Sequence, residues 1–279
     1  SCFDEEGEAA ICGSTGAIDE MATSYHGDTT VFSSSGRRFV HGDFNKEQDV
    51  FVYRNGLLSL VSSTQDLEQS NGRSQQPAVS GNGRYIVFQS AATNLVANTE
   101  QTSSTQKNLY IKDLDTGKIA VISRESDQSP ANLFGSFNYL SAITYSGRYV
   151  FFSARVNRFV DGMTSPDNFN KMYMVDLDPD ANGDYFDDNY QNHAVSYRAD
   201  EETEMLAGNM LNASVSQNGK YLAFSTGVNE LTTSAGIMLF KFSGNDVDGT
   251  LDVSQREAVF IGGGSLARVS PRGDSVAFL

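Results

Sequence analysis

One eleven-residue stretch, SGNGRYIVFQS at residues 80–90, constrains the fold most, because shorter versions of it recur four more times along the chain. Aligned on their glycine, the copies read SYHGDTTVF, SGNGRYIVF, TYSGRYVFF, SQNGKYLAF and SPRGDSVAF. Glycine suits a turn position with positive φ. The apolar run that follows it, aromatic and β-branched, is typical of a buried strand. The pattern predicts a fold built from five repeats of turn and strand.

Each copy opens a longer repeat. In the second repeat a polar loop follows, and then a hairpin, KNLYIKDLDTGKIAVIS, that turns at residues 115–117. Each repeat thus consists of two strands joined by a turn, a loop, and a hairpin of two further strands. This order predicts one four-stranded antiparallel sheet per repeat. These sheets are expected at residues 17–62, 76–123, 138–197 and 212–262.

The two ends of the chain each look like half a repeat. Residues 1–13 read as a hairpin of last strands, whereas residues 267–279 read as a first and second strand. We therefore expect residues 263–279 and 1–13 to form a fifth sheet together. A ring of such sheets is a β-propeller. The sequence thus predicts a single all-β domain over residues 1–279, a propeller of five four-stranded blades whose closing blade is shared between the N- and C-termini. A larger ring, or a piece of a larger surface protein, would show the same half-repeats.

The repeat pattern resembles a known family. The order S-x-x-G-[RK]-Y-x-x-F, an ATNLV-type loop and a strand ending in [VI]-x-D-L-[DT]-x-G-x is similar to the TolB-like, WD-repeat-like propeller repeat of bacterial envelope and secreted proteins. The resemblance implies a propeller and a secreted, periplasmic or cell-surface location. Such repeats serve as binding scaffolds, as domains beside catalytic ones and occasionally as enzymes. The α/β domain and six-bladed ring of the member that names the family have no counterpart in these residues, so its partners are not carried over.

Charge limits the partners that the protein can have. The formal net charge is −15, and residues 176–204 hold ten acidic residues against one basic residue, Arg198. Binding nucleic acid calls for a basic face, so nucleic acid is not expected as a partner. No run of 18 apolar residues could span a membrane. A protein or carbohydrate ligand, bound at the mouth of the central channel or on the loop-bearing face, fits better.

The two cysteines, Cys2 and Cys12, flank the segment CFDEEGEAAIC. If residues 6–7 form a hairpin turn, the two cysteines lie opposite each other and can form a disulfide. A disulfide would indicate an oxidising compartment. Two buried free thiols, or a lipidated Cys2 that leaves Cys12 unpaired, are the alternatives.

The densest set of possible metal ligands lies in the third repeat, in VDLDPDANGDYFDDN. Its acidic and amide residues alternate around a glycine, as ligands do in an EF-hand-like calcium loop. The predicted Ca²⁺ ligands are Asp178, Asp180, Asn182, Asp184, Asp187 and Asp188. The final ligand position falls on Asn189 instead of Glu, so we expect the weak affinity of extracellular sites. The alternative is a solvated acidic hairpin tip. The matching turn of the fourth repeat is a thinner version, with Asp246, Asp248 and Asp252.

No catalytic constellation stands out. His26, His41 and His193 fall in unrelated contexts without metal-ligand spacing, and no G-x-S-x-G motif occurs. Trp is absent, so sugar stacking would rest on tyrosines such as Tyr185, Tyr190 and Tyr197, for which ordinary packing is the favoured alternative.

The sequence therefore favours a non-catalytic, secreted or envelope-associated propeller that recognises a protein or glycan and is stabilised by calcium. The alternative is an extracellular polysaccharide-active enzyme, a glycosidase or lyase, with paired carboxylates near the propeller axis.

Overall fold

The structure, a computed structural model, describes residues 17–36, 39–40, 43–97, 107–125, 142–155, 159–165, 167–198, 204–227, 231–232, 234–246 and 250–279, and the backbone of residues 2–3, 9–10 and 139–141. The chain forms two compact units, Ser1–Ser123 and Arg124–Leu279. Every regular element in the described ranges is a strand. No helix in this part of the chain is long and apolar enough to cross a membrane.

The first unit contains two four-stranded antiparallel sheets, ordered β3-β4-β5-β6 and β7-β8-β9-β10, and the two-stranded sheet β1-β2. Its strands are β1 (Cys2–Phe3), β2 (Ala9–Ala10), β3 (Ile18–Thr23), β4 (Thr29–Ser34), β5 (Asp49–Arg54), β6 (Leu57–Leu60), β7 (Ser74–Val79), β8 (Tyr85–Ser90), β9 (Asn108–Asp113) and β10 (Ile119–Val121).

The second unit repeats the arrangement with the sheets β11-β12-β13-β14 and β15-β16-β17-β18 and the two-stranded sheet β19-β20. Its strands are β11 (Tyr139–Ile143), β12 (Tyr149–Ala154), β13 (Lys171–Asp176), β14 (Gln191–Ala194), β15 (Met210–Val215), β16 (Tyr221–Thr226), β17 (Gly236–Ser243), β18 (Asp252–Gly262), β19 (Ala267–Val269) and β20 (Val276–Phe278).

The middle strands of the sheets form the core. All six positions of β8, β9, β12 and β13 are buried, as expected of apolar strands covered on both faces. The outermost strand β6, LLSL, alternates between exposed and half-buried residues because only one of its faces is covered. In each unit a cluster of buried apolar residues lies between the two four-stranded sheets. One cluster includes Val31, Ile86, Phe88 and Tyr110, and the other includes Tyr149, Phe151, Phe224 and Phe240.

The repeated turn has the same construction in all five copies. The Ser80 hydroxyl accepts a hydrogen bond from the backbone N–H of Tyr85 at 3.0 Å, closing the turn around Gly83. Equivalent bonds join Thr29 to Ser24, Tyr149 to Thr144, Tyr221 to Ser216 and Ser275 to Ser270. The five turn glycines have φ angles of +73°, +73°, +92°, +74° and +78°, so the prediction of positive-φ turns is confirmed.

Neighbouring repeats of one unit meet at these turns. The N–H of Tyr25 donates to the carbonyl of Gly81 at 3.0 Å, the N–H of Tyr145 to that of Gln217 at 2.9 Å, and the N–H of Gln217 to that of Pro271 at 3.0 Å. In these three contacts the residue two places before one turn glycine binds its counterpart in the next repeat. The repeat therefore encodes the contact between sheets as well as the sheet.

Strand bounds differ from the predictions in small ways. The second and fourth sheets begin at Ser74 and Met210, two residues earlier than expected. In β1-β2 the partner of Cys2 is Ala10 instead of Cys12. The cysteine side chains lie outside the described residues, so the disulfide stays a prediction. The pairing of the terminal segments into a shared fifth blade also stays a prediction.

The first strand of every four-stranded sheet carries a β-bulge that the sequence did not predict. The pairing shifts between Ile18 and Glu20 in β3, and at the equivalent place in β7, β11 and β15. Gln76 and Asn212, at the bulges of β7 and β15, have φ angles of +52° and +53°. Bulges bend a strand and re-aim its side chains. No single residue type marks them here, so they are invisible in the sequence.

Two of the turn glycines, Gly27 and Gly83, distinguish the cost of backbone strain from the cost of steric overlap when glycine is replaced by alanine. Gly27 and Gly83 share a φ of +73°, but a Cβ on Gly83 would lie 2.6 Å from the Thr29 Oγ1 atom, whereas a Cβ on Gly27 would meet nothing within 4 Å. We expect Gly27→Ala to lower the free energy of unfolding by about 1–2 kcal/mol through left-handed strain alone. Gly83→Ala should lose a further 1–3 kcal/mol or so through overpacking. Urea denaturation measures both, and equal losses would contradict the packing argument.

Candidate functional site

The acidic loop, residues 178–189, connects β13 to β14 and contains all six predicted metal ligands. Its first anchor is the end of β13. Arg148 donates Nε to Asp176 Oδ1 at 2.7 Å and an Nη2 proton to Asp176 Oδ2 at 2.8 Å. The N–H of Asp178 also donates to Asp176 Oδ1, at 3.0 Å. A bidentate charged pair of this kind is among the stronger polar contacts in proteins, so the loop leaves the sheet from a fixed point.

Asp178 shapes the first turn of the acidic loop. Its side chain is buried, and its two carboxylate oxygens accept the N–H of Gly183 at 3.2 and 3.1 Å. Gly183 has a φ of +83°, and Ala181 a φ of +57°. The carboxylate of Asp178 therefore closes the turn from inside.

The rest of the acidic loop is a chain of turns in which a side-chain oxygen accepts the N–H two residues ahead. Asn182 donates its N–H to Asp180, Asp184 to Asn182, Phe186 to Asp184, and Asn189 to Asp187, at 2.7 to 3.3 Å. Asp and Asn favour such turns because their short side chains reach that backbone N–H. The alternating spacing that predicts calcium ligands is also the spacing that these turns require.

One amide side chain holds the two arms of the acidic loop together. The Nδ2 group of Asn182 donates to Asp180 Oδ2 at 3.0 Å and to Asp187 Oδ2 at 2.8 Å. The bond from Asn182 is the largest cause that lowers the pKa of Asp187. Both carboxylates therefore face N–H donors of the acidic loop itself.

The far end of the acidic loop is held by Arg124. Its Nη2 group lies 2.7 Å from Asp188 Oδ1, and its guanidinium carbon lies 5.6 Å from the centre of the Tyr190 ring. Tyr190 is buried at the start of the return to β14. Asp188 is thus paired with a cation from outside the acidic loop. Among the described residues, no three Asp, Glu, His or Cys side chains converge as a metal site would need.

The corresponding turn in the next sheet uses its acidic residues differently. Asp246 is buried and accepts the N–H and the hydroxyl of Ser146, at 2.9 and 2.6 Å, in the neighbouring repeat. Asp252 accepts the N–H and hydroxyl of Ser254 at 2.9 and 2.6 Å. Asp248 lies outside the described residues. Asp246 thus serves as a link between repeats.

The histidines do not form a site in the described residues. His26 sits in the first turn with its ring 4.8 Å from that of Tyr25. His193 lies opposite Met174 in β14, and burial lowers its pKa. His41 lies outside the described residues.

A buried carboxylate in the first unit escaped the sequence analysis. Asp49, fully buried at the start of β5, accepts the hydroxyls of Ser62 at 2.6 Å and Ser70 at 2.9 Å. The Nε2 group of Gln69 bridges Asp49 at 3.0 Å and Asp43 at 2.9 Å. Burial, reinforced by the nearby charge of Asp43, raises the pKa of Asp49 to about 6.

The sequence did contain a signal for Asp49. Asn108 begins β9 as Asp49 begins β5, and its Oδ1 accepts the Ser123 hydroxyl at 3.0 Å. Aligning the third strands would have shown a carboxylate where the next repeat uses a neutral amide.

Comparison with solved structures identifies the fold. TolB from Acinetobacter baumannii aligns with a TM-score of 0.53 and 13% identity over 94% of this chain. The chain has the TolB-like β-propeller fold. The tricorn protease aligns with a TM-score of 0.51 and 13% identity over 98% of this chain. This propeller chain spans 48% of the length of that TolB structure and 25% of that of the tricorn protease.

Neither a protein-family model nor a curated protein matches the sequence. The similarity to the TolB repeat is therefore one of fold.

Two of the three tyrosines considered for sugar stacking, Tyr190 and Tyr197, are packing residues. Tyr190 and Tyr197 are buried, and Tyr185 is half-buried. The Tyr190 hydroxyl donates to the Tyr185 carbonyl at 3.3 Å, and the guanidinium carbon of Arg256 lies 3.7 Å from the centre of the Tyr197 ring. The packing alternative is confirmed for Tyr190 and Tyr197.

Asp49 predicts a dependence of stability on pH. Because its pKa is higher in the folded state, protonation favours folding, and this contribution is complete below pH 3.8 and lost as the pH rises through about 6. The shift corresponds to about 3 kcal/mol. Asp49→Asn keeps an acceptor for Ser62 and Ser70 but cannot titrate. Between pH 4 and pH 7, urea denaturation should show a decline for the wild type that Asp49→Asn lacks. Asp66→Asn, at an exposed carboxylate, is the control, and a full decline in Asp49→Asn would contradict the assignment.

Proposed function

We propose that the protein is a non-catalytic recognition scaffold of the envelope or extracellular space, and that the acidic loop is where it binds a protein partner with a basic surface. The observation that carries the proposal is the combination of rigidity and exposure in this loop. Its ends are anchored by Arg148 and Arg124, while Asp180, Asp187 and Asp188 face solvent.

Rigidity matters because a preorganised loop loses little conformational entropy on binding. The turn chain and the Asn182 bridge hold the carboxylates in place before a partner arrives. A charged tail of the same composition would have to be ordered at the expense of affinity.

Charge supports the choice of a basic partner. The acidic loop contains five aspartates and no basic residue, which gives it a formal charge of −5. A concentrated patch of one sign speeds the encounter with a partner of opposite sign and repels partners of the same sign. Salt should weaken such binding because exposed charges are screened.

A lysine-rich peptide tests this function directly. We expect the wild type to bind poly-lysine at least tenfold more tightly than Asp180→Asn/Asp184→Asn/Asp187→Asn does, measured by isothermal titration at 0.15 M salt. Asn keeps one oxygen to accept each turn N–H, so the turns should persist, while the variant loses three charges and the two carboxylate oxygens that accept the Asn182 amide.

A matched variant controls for net charge. Glu47→Gln/Asp66→Asn/Glu68→Gln removes three exposed charges from the first unit and should bind poly-lysine like the wild type. Equal weakening in both triple variants would mean that total charge alone drives binding and would overturn the role of the acidic loop.

Calcium is the second proposed ligand of the acidic loop. Its carboxylate and amide oxygens are the donors that Ca²⁺ prefers, although in this structure they accept N–H groups of the loop. Asp178, Asp180, Asn182, Asp184 and Asp187 would hold the ion after Asn182 releases its bridge, with Asp188 joining only if it leaves Arg124.

A thermal melt tests calcium binding. We expect millimolar Ca²⁺ to raise the melting temperature relative to a chelator control, because a ligand that binds only the folded state stabilises it. Asp180→Ala should abolish the rise, and Asp66→Ala should keep it. If the melting temperature is the same with Ca²⁺ and with the chelator, the calcium proposal is wrong and only the protein-binding role of the acidic loop stays proposed.

A glycan ligand and a polysaccharide-active enzyme remain alternatives from the sequence. Burial of Tyr190 and Tyr197 removes two of the stacking surfaces on which glycan binding was to rest. Protein recognition is therefore the function that we propose.

A further inference from the structure

The chain contains five Asn–Gly pairs, at which an asparagine can lose its side-chain amide without an enzyme. The backbone nitrogen of the glycine attacks the Cγ atom of the asparagine, and glycine has no side chain to obstruct that approach. The N–Cγ bond forms as the Cγ–Nδ2 bond breaks, and the backbone proton leaves with the ammonia. Water then opens the resulting ring at either carbonyl and leaves aspartate or isoaspartate. The pairs begin at Asn55, Asn71, Asn82, Asn182 and Asn218.

The reaction requires a glycine N–H and an asparagine side chain that other groups do not hold. Two of the pairs lie in the repeated propeller turns. Asn82 Oδ1 accepts the Ser80 hydroxyl at 2.6 Å and the N–H of Arg84 at 3.0 Å. The N–H of Gly83 donates to the Ser80 carbonyl at 2.9 Å. Asn218 and its glycine form the equivalent bonds in their own turn, at 2.8 to 3.1 Å. Both groups that must react are therefore held in these turns.

Two further pairs are held by other contacts. Both ends of the Asn71 amide are bonded to Thr93, whose hydroxyl accepts its Nδ2 group and whose N–H donates to its Oδ1 atom, each at 2.8 Å. In the acidic loop the Nδ2 group of Asn182 bridges two carboxylates, and the N–H of Gly183 donates to Asp178. Exposure alone therefore does not set the reactivity, because Asn71 and Asn182 are exposed and yet fixed.

Asn55 and Gly56 form the exception. They are the two-residue tip between β5 and β6, where Arg54 pairs with Leu57. Their φ angles of +54° and +80° fit a type I′ turn, in which the hairpin bonds join only the flanking residues. Both residues are exposed, and in the part of the chain that the structure describes no hydrogen bond holds the Asn55 side chain or the Gly56 N–H.

The surroundings allow this tip to change conformation. β6 is the outermost strand of its sheet and alternates between exposed and half-buried residues. A Cβ atom on Gly56 would meet nothing within 4 Å, whereas one on Gly72 would lie 2.9 Å from the backbone of Ala91. Segments with few buried contacts open locally at little cost in free energy. Asn55 therefore has room to bring its Cγ atom to the Gly56 nitrogen.

We propose that Asn55 is a site of spontaneous deamidation, and that the fold protects the other four Asn–Gly pairs from the same reaction. The product lies beside Arg54, whose Nη1 group is 2.7 Å from Asp115 Oδ1 in the next repeat. An aspartate at this position adds a negative charge next to that ion pair. An isoaspartate also adds a methylene group to the backbone, so a tip of two residues no longer keeps Arg54 opposite Leu57.

The reaction rates in the intact protein test this proposal. The protein is kept at pH 8 and 37 °C in heavy-oxygen water, which labels each deamidated residue, and is then digested and mapped by mass spectrometry. We expect Asn55 to react at least tenfold faster than any of the other four asparagines, because opening the tip costs less free energy than breaking their hydrogen bonds. The same protein unfolded in urea is the control, in which the five rates should converge. Another asparagine that reacts as fast as Asn55 in the folded protein, or an Asn55 that reacts only in urea, would overturn the proposal.

Variants assign the reaction to this pair and measure its effect. Asn55→Gln has a longer side chain that disfavours ring closure, so it should lose the main deamidated product, whereas Asn189→Gln, at an exposed asparagine that precedes tyrosine, should keep it. A product that persists in Asn55→Gln would contradict the assignment. The isoaspartate form, purified by ion exchange, should unfold at a lower urea concentration than Asn55→Asp, which carries the charge without the added methylene group. Equal midpoints would contradict the effect on the hairpin.

Discussion

The close approach of one repeat's turn to the next is the constraint on which the structure depends. Residue 83 has to be glycine for two reasons. Its φ is +73°, and Thr29 of the preceding repeat occupies the space that a side chain would need. The hydroxyl of Thr29 donates to the Gly83 carbonyl at 3.3 Å. Within each unit, backbone hydrogen bonds between consecutive turns also bring successive sheets into contact. Buried middle strands follow, since each sheet is covered by its neighbour.

Buried lysines hold the connections between sheets in both units. Lys112 donates Nζ to the carbonyl of Ser63 at 2.8 Å and to its hydroxyl at 2.7 Å, and burial lowers the pKa of the lysine to about 8. Lys171 binds the carbonyls of Leu206 and Gly208, at 2.7 and 3.0 Å. In each case the lysine lies on a strand of one sheet and donates hydrogen bonds to the chain segment that connects this sheet to its neighbour. Such an ammonium is costly to bury unless its protons are all bonded.

The acidic loop shows why one sequence pattern can indicate either a calcium site or a series of side-chain-to-backbone turns. Alternating Asp and Asn residues can surround a cation, or each can accept the N–H two residues ahead. In the structure the second arrangement is formed, with Asn182 bridging two carboxylates and Asp188 drawn to Arg124. Arg124 precedes Asp188 by 64 residues, so no local pattern could have revealed that pairing. The same loop is therefore a preformed acidic surface whether or not calcium binds to it.

The sequence by itself determined the repeat, its positive-φ glycines, the hydroxyl that closes each turn and the buried strands, because these depend on residues within about ten positions of one another. Tertiary structure alone decided which polar groups meet. The bulges of the first strands, the pKa of Asp49 and the pairing of Arg124 with Asp188 all arise where different strands or sheets come together. These properties depend on burial and on contacts between different strands and sheets. The spacing of residues along the chain determines neither of them.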